Sequence, residues 1–275
     1  MIAKYKFYFI TSSLCLFSLF LFAVFLEILD GCSKNKPEPE TVVRIPPKIN
    51  GRTVTEIGDN AFSGRWKLTQ VTIPDSVRRI GNNAFFGCHG LTEVTIPDSV
   101  TEIGDYAFFS CIALTQVTIP DSVTEIGDYA FTGCEGATKV SIQNGKIGKQ
   151  AFSNCIGLTE VSISKGVTEI GDLAFAGCNA LTQVTIPDSV RIIGEGAFLG
   201  CTGLTEVIIS NGVTEIGDTA FAGCTRLTEV TIPYSVRKIG IGAFSDCTRL
   251  TRFLVPKGVS IYPSDFPSGC RIIRY

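Results

Sequence analysis

The 275-residue chain carries 24 Lys and Arg against 26 Asp and Glu, a formal charge of −2, and 45% of its residues are apolar. With no basic run, that balance excludes a nucleic-acid surface, which needs a stripe of positive charge to meet phosphates. A single histidine, His89, leaves Cys–His or Ser–His–Asp chemistry resting on one residue, and no glycine-rich phosphate loop follows a strand.

Positions 1–31 read as an export leader, because Lys4 and Lys6 precede an apolar run from Phe7 to Leu26. Its end, Leu29-Asp30-Gly31-Cys32, resembles a bacterial lipobox, which implies cleavage before Cys32 and acylation of that cysteine. Asp30 and Glu27 depart from the small apolar residues usual there. The alternative is an uncleaved membrane helix, since about 20 apolar residues span a bilayer. Either way the expected location is the cell envelope or surface. Cleavage removes Lys4, Lys6, Glu27 and Asp30, two charges of each sign, and leaves the net charge at −2. Positions 32–41 follow with prolines and polar groups and no large apolar side chain, so they predict an extended tether.

From Val42 to Cys270 nearly everything is one unit, L-x-x-V-x-I-P-x-x-V-x-x-I-G-x-x-A-F-x-x-C-x-x. Copies begin at Leu68, Leu91, Leu114, Ala137, Leu158, Leu181, Leu204, Leu227 and Leu250, a step of 23 residues that falls to 21 only in the copy at Ala137. A fixed period of this length predicts a repeat solenoid, each unit burying its apolar side chains against its neighbours. Residues 42–67 form a partial first repeat that acts as a cap, 68–249 hold eight repeats with 137–157 shortened, and 250–275 form the last repeat and cap. In the first cap Arg65 stands where cysteine recurs elsewhere. The lone tryptophan, Trp66, is expected to pack the open end, with an exposed ligand anchor as the alternative.

Within a copy, Val117 and Ile119 alternate with Gln116, Thr118 and Pro120, the period of a strand with one buried face. Val123 with Ile126, and then Ala130 with Phe131, supply two further walls. Gly127-Asp128 reads as a reversal followed by an Asp N-cap on a one-turn helix. Leu114, Val117, Ile119, Val123, Ile126, Ala130, Phe131 and Cys134 are therefore the expected core of one turn.

This unit, with its I-G-x-x-A-F-x-x-C half, resembles the leucine-rich repeat of BspA-like surface proteins, including treponemal repeat lipoproteins. The resemblance runs over about residues 42–270. It implies a right-handed arc with a parallel sheet on the concave side and short strands or helical turns on the convex side. It also implies display on a cell surface and adhesion to host matrix proteins.

Two outward rows lie on the expected sheet. The first is Gln70, Glu93, Gln116, Lys139, Glu160, Gln183, Glu206, Glu229 and Arg252. The second is Thr72, Thr95, Thr118, Ser141, Ser162, Thr185, Ile208, Thr231 and Leu254. Stacked at about 4.8 Å per strand, nine copies make a face roughly 40 Å long. That face can offer hydrogen bonds to an extended partner, or it can simply keep a sheet soluble with strand-favouring threonines. The shortened repeat replaces its leading Leu with Ala137, loses the proline, and gathers Lys139, Lys146 and Lys149 at positions that are mostly acidic or amide elsewhere. It predicts a local positive spot, as a binding feature or as tolerated drift.

Where most copies have Asp-Ser before the valine, others have Lys165-Gly166, Asn211-Gly212 and Lys257-Gly258, which predicts a tight turn whose second residue takes a positive φ. Cys88, Cys111, Cys134, Cys155, Cys178, Cys201, Cys224, Cys247 and Cys270 occupy one repeat position, so they are expected as buried free thiols rather than disulfides. Asp59, Asp105, Asp128, Asp172 and Asp218 offer one carboxylate per turn, whereas calcium takes roughly six to eight oxygens. At the end, Arg271-Ile-Ile-Arg-Tyr275 reads as a last strand whose arginines guard an open edge.

The expectation is a non-enzymatic, exported repeat protein that binds other proteins, with no cofactor, metal or nucleic acid. Its concave rows would bind host matrix or cell-surface protein, its membrane contact would run through Cys32, and its alternative role is an envelope-internal scaffold docking a membrane protein of the same cell.

Overall fold

The computed structural model describes residues 41–275; the leader, Cys32 and the tether up to Glu40 lie outside them. The described chain winds as a β-solenoid of about ten turns. Two parallel ladders run its length, one from each apolar pair of the repeat.

The first ladder comes from the V-x-I segment. It begins with Val42–Arg44 beside Gln70–Thr72 and continues through Glu93–Thr95 and Gln116–Ile119 into Lys139–Ile147 and Glu160–Ile170. Gln183–Ile186 with Glu206–Ile209 then forms a separate pair, and Glu229–Thr231, Arg252–Val255 and Arg271–Arg274 form a separate trio. The second ladder uses two residues per turn, from Glu56–Ile57 through Arg79–Ile80, Glu102–Ile103 and Glu125–Ile126 to Lys238–Ile239. In both, equivalent residues of successive copies stand side by side, so the 23-residue period in sequence is a one-strand step in space.

Only the antiparallel hairpin Lys48–Ile49 with Arg52–Thr53, in the first cap, breaks the parallel rule among the described strands. In the shortened repeat and in the full-length copy after it, the strand runs unbroken through both ladders, over Lys139–Ile147 and Glu160–Ile170, with two register shifts between them. Gly145, at φ +88°, lies at the second of those shifts.

The third wall differs from expectation. Among the described residues the single helical segment is the 3-10 turn Pro263–Asp265, and the expected one-turn helix after Gly127-Asp128 is a string of tight turns. The reason lies in where the N–H groups go. Ala130, Thr132 and Cys134 donate three residues back within the copy, while Tyr129, Phe131 and Gly133 donate to Lys149, Ala151 and Ser153 of the next copy. Half of the donors thus build the stack, and a helix would have withheld them. The carboxylate of Asp128 likewise accepts from the backbone N–H of Lys149 one turn on, at 2.7 Å, rather than capping its own turn. Asp59, Asn82, Asp105, Asp172 and Asp218 repeat this.

The turn chemistry also moves. No residue of the Asp-Ser, Lys165-Gly166 or Asn211-Gly212 type has a positive φ. Gly166 and Gly212 are needed because a Cβ would meet carbonyl oxygens of the preceding turn at 2.5 and 1.7 Å. Positive φ recurs instead two residues after the glycine of each Ile-Gly, at Asn60, Asn83, Tyr106, Tyr129, Gln150, Leu173, Gly196, Thr219 and Gly242. The Asn and Gly at that position were the sequence signal for it.

The eight core positions expected in one turn are all at most 2% exposed, from Leu114 to Cys134. Their equivalents join into one cluster from Ile57 to Val259. Phe62, Phe85, Phe108, Phe131, Phe152, Phe175, Phe198, Phe221 and Phe244 form a single stacked column with ring centroids 4.9 to 5.4 Å apart. Each such pair adds about 0.5–1.5 kcal/mol beyond burial of its area. The thiols of Cys88 to Cys247 are free and buried, and Cys270 is half-buried at the end of the row. Each buried thiol donates to the carbonyl of the phenylalanine one turn back, as Cys134 does to Phe108 at 3.3 Å. Cysteine therefore supplies a small apolar body and a weak donor in one side chain.

Trp66 does not pack the cap. It is 53% exposed, with the Lys67 ammonium 5.2 Å from its ring. The end of the phenylalanine column is met by Arg65, whose guanidinium lies 5.2 Å over the Phe62 ring.

Candidate functional site

The first ladder positions the candidate face. Alternation along each strand turns valine and isoleucine inward and leaves the residues between them in solvent, as in Gln116–Ile119, where exposed and buried residues alternate. Gln70, Glu93, Gln116, Lys139 and Glu160 stand in one register. Gln183 pairs with Glu206, and Glu229 with Arg252. All nine are exposed. Thr72, Thr95, Thr118, Ser141, Ser162, Thr185, Ile208, Thr231 and Leu254 make the parallel row; Ser141 and Leu254 are half-buried and the others exposed. The structure thus brings both sequence-read rows together on one side of the sheet.

Charge on the first row is largely matched from copy to copy. Lys139 Nζ lies 2.9 Å from Glu160, and Arg252 donates to Glu229 at 2.8 Å. Such exposed pairs contribute about 0–1 kcal/mol each. Glu206 has no ion pair among the described residues.

The three lysines of the shortened repeat do not make one positive spot. Lys139 is on the first ladder, whereas Lys146 belongs to the second and pairs with Glu169 at 3.3 Å. Lys149 lines an open depression beside Lys146, Asp105, Asp128, Glu169 and Asp172. The deletion splits the lysines between two faces, and neighbouring carboxylates offset them.

The second ladder carries its own charged row, which sequence reading passed over because its strands are two residues long. Arg79 bridges Glu56 and Glu102 one copy to either side, and Lys238 pairs with Glu215. Ile192 interrupts that row at 41% exposure.

Two residues on the first face were also missed. Tyr234 stands where Asp75, Asp98, Asp121 and Asp188 stand in other copies, and that substitution was its signal. It is 73% exposed, and its ring meets Tyr275 edge to face at 4.8 Å. With Ile208, Thr231, Glu206 and Glu229 these tyrosines line an open groove of about 780 Å³.

No constellation for chemistry accompanies these surfaces. His89 is half-buried, and burial lowers its pKa below the ordinary histidine value. No group of three His, Cys, Asp or Glu among the described residues is placed to hold a metal ion. Burial pushes the thiols of Cys155 and Cys201 up to about 12, which keeps them protonated and poor as nucleophiles or ligands.

Comparison with known proteins points to one repeat family. The model of the BspA type leucine-rich repeat region matches residues 55–181 and 145–274, in six copies. A leucine-rich cell surface protein of Faecalibacterium prausnitzii is 28% identical, covering 86% of this chain and 88% of that one, with a TM-score of 0.40. The leucine-rich repeat protein of T. pallidum is 30% identical, covering 76% and 78%, with a TM-score of 0.41. A leucine-rich repeat protein of Bacteroides ovatus is 26% identical, covering 85% and 92%, with a TM-score of 0.33. No curated protein matches the chain. The repeat pattern, the stacked parallel turns and the match across both halves of the described residues make this chain a member of the BspA-type leucine-rich repeat family.

Proposed function

We propose that this protein is displayed at the cell surface, held by a lipid on Cys32, and adheres to host matrix or cell-surface protein through the first ladder's exposed face. The observation that carries the reading is the pair of polar rows, held in register over successive copies by a continuous buried core. A rigid array of amides, carboxylates and hydroxyls presents many hydrogen-bonding groups with no backbone left to order on binding, because the scaffold already fixes it. Repeat scaffolds use extended surfaces of this kind for protein recognition.

Three measurements on cells making the full chain test it. Added protease should remove the repeats from intact cells, labelled fatty acid should enter the wild type and not Cys32→Ala, and cells should bind immobilised matrix protein saturably. Repeats that resist protease until the envelope is opened would move the protein inside and favour docking to a membrane protein of the same cell. Exposed repeats with no saturable binding to matrix or host cells would end the adhesion reading.

A further inference from the structure

The exposed face is not uniform along its length, and its last copies change character. The hydroxyl row Thr72, Thr95 and Thr118 gives way to Ile208, and Thr231 then stands beside Leu254 and Ile273 in register. Ile208 is 49% exposed. An isoleucine held in water at a position that is threonine or serine in every other copy except the last, where Leu254 stands, loses burial energy with no return inside the molecule. Tyr234 repeats the point, since a large ring replaces a turn aspartate and is left more exposed than any other large apolar side chain in the described core or on its surface.

The aromatic pair is held in place. The Tyr275 N–H donates to the Val255 carbonyl and its main-chain oxygen accepts from the Lys257 N–H, which fixes the backbone, and its hydroxyl donates to the carbonyl of Ile232, which holds the ring against which Tyr234 rests. A tyrosine pair fixed before binding loses little entropy when a partner arrives.

The groove also has a sign. Its lining holds Glu206 and Glu229 and no lysine or arginine. Arg252 engages Glu229, so Glu206 is the carboxylate left for a partner. The groove straddles the seam where the ladder is interrupted between Glu206–Ile209 and Glu229–Thr231.

Resting on the reading of this face as a protein-binding surface, we propose that the groove of Ile208, Tyr234 and Tyr275 is its anchor subsite and takes an extended polypeptide carrying an apolar side chain next to a lysine or arginine. The apolar side chain would lie on Ile208 and against Tyr234, and the cation would meet Glu206. An aliphatic floor favours a peptide over a sugar, because isoleucine offers no hydrogen bond to a ring hydroxyl and matches an apolar side chain in kind.

The test uses the full chain in detergent micelles, panned against phage carrying random twelve-residue peptides, with selected peptides resynthesised for fluorescence anisotropy. The expected winners carry an aromatic or aliphatic residue beside Lys or Arg. Their Kd should rise tenfold or more in Ile208→Lys and in Tyr234→Ala, as for anchor residues. In Glu206→Gln it should rise roughly two- to fivefold, as for an exposed ion pair. Ile192→Lys, a control on the second ladder, should leave it unchanged; on the same row several copies away, Thr95→Lys and Thr118→Lys separate this subsite from the rest of the face. All these positions are exposed, so far-ultraviolet circular dichroism should match wild type. Peptides lost by the Thr95 and Thr118 variants and kept by the other three would overturn this subsite and leave the face's role intact. Peptides sensitive to none of the five variants on this face would overturn both. No enrichment, or binding of neutral oligosaccharides alone through Tyr234, would overturn the peptide assignment.

Discussion

At the residue scale, the cysteine column shows how one side chain can be legible in position and illegible in contact. Recurrence beside Ala-Phe identified the slot as narrow and buried. That each thiol would donate to the phenylalanine carbonyl one turn back, as Cys155 does to Phe131 at 3.3 Å, could not be read, because the acceptor is 24 residues away. The buried thiols carry a pH dependence of definite sign. In the unfolded chain they lose protons from about pH 9, whereas burial pushes Cys155 and Cys201 up to about 12. Below pH 9 both states are protonated and the stabilisation is whole. Between pH 9 and about 12 the unfolded state holds fewer protons, so stability falls as pH rises, by up to about 1.4 kcal/mol per pH unit for each thiol. Denaturant midpoints measured from pH 7.5 to 10.5 should drop steeply above 9, and less steeply in a Cys155→Ala, Cys201→Ala variant. Alkylation of the native protein followed by peptide mapping should mark Cys270 and spare Cys88 to Cys247. Native labelling of Cys155 would contradict its burial.

At the element scale, a turn of this solenoid is defined by bonds to its neighbours more than by bonds within it. This explains where sequence reading erred. Asp128 was read as a local helix cap because capping is a short-range pattern, whereas its partner is the N–H of Lys149 in the next copy. The glycines before each Asp were read as a reversal, yet a Cβ on Gly127 would lie 2.6 Å from backbone of the preceding turn, so closeness of stacking demands them. The shortened repeat makes the case sharpest. Gly145 takes φ +88° at a register shift, with Thr124 O 2.5 Å from where a Cβ would stand. Gly145→Ala should therefore destabilise by about 2 kcal/mol or more, combining left-handed strain with a clash against backbone. Gly258 has open space around its Cβ direction and no positive φ, and Gly258→Ala should be neutral or stabilise by up to about 1 kcal/mol. Equal denaturation curves for the two variants would show that the shortened copy tolerates its geometry some other way.

For the whole molecule, a stack of near-identical turns has no inner edge to protect, and its weak points are its two ends. At the N-terminal end Trp66 is half in water, and Val43, Ile45 and Val54 pack against the core instead, with Arg65 over the Phe62 ring. The last strand is legible at the C-terminal end, where two isoleucines stand between arginines. Arg271–Arg274 pairs with Arg252–Val255 and ends the first ladder. Arg274 turns back to the carbonyl of Val259, at 2.9 Å, and Tyr275 ties the end to Ile232. Deleting residues 271–275 would bare the strand edge of Arg252–Val255 and unroof Phe253, which is fully buried in the intact chain. Losing the half-buried Ile272 and Ile273 alone should lower stability by about 2–3 kcal/mol. In a one-dimensional stack that loss stays near the end, since each turn leans on its neighbours only. Hydrogen exchange should accordingly quicken around Phe253 and Phe244 and hold steady around Phe131. Sedimentation velocity should show concentration-dependent association beyond that of the intact chain, as a bared parallel edge recruits another copy. Uniform quickening across all turns would mean that the solenoid melts as one unit, so that its end strand stabilises the whole molecule and not just the final turn.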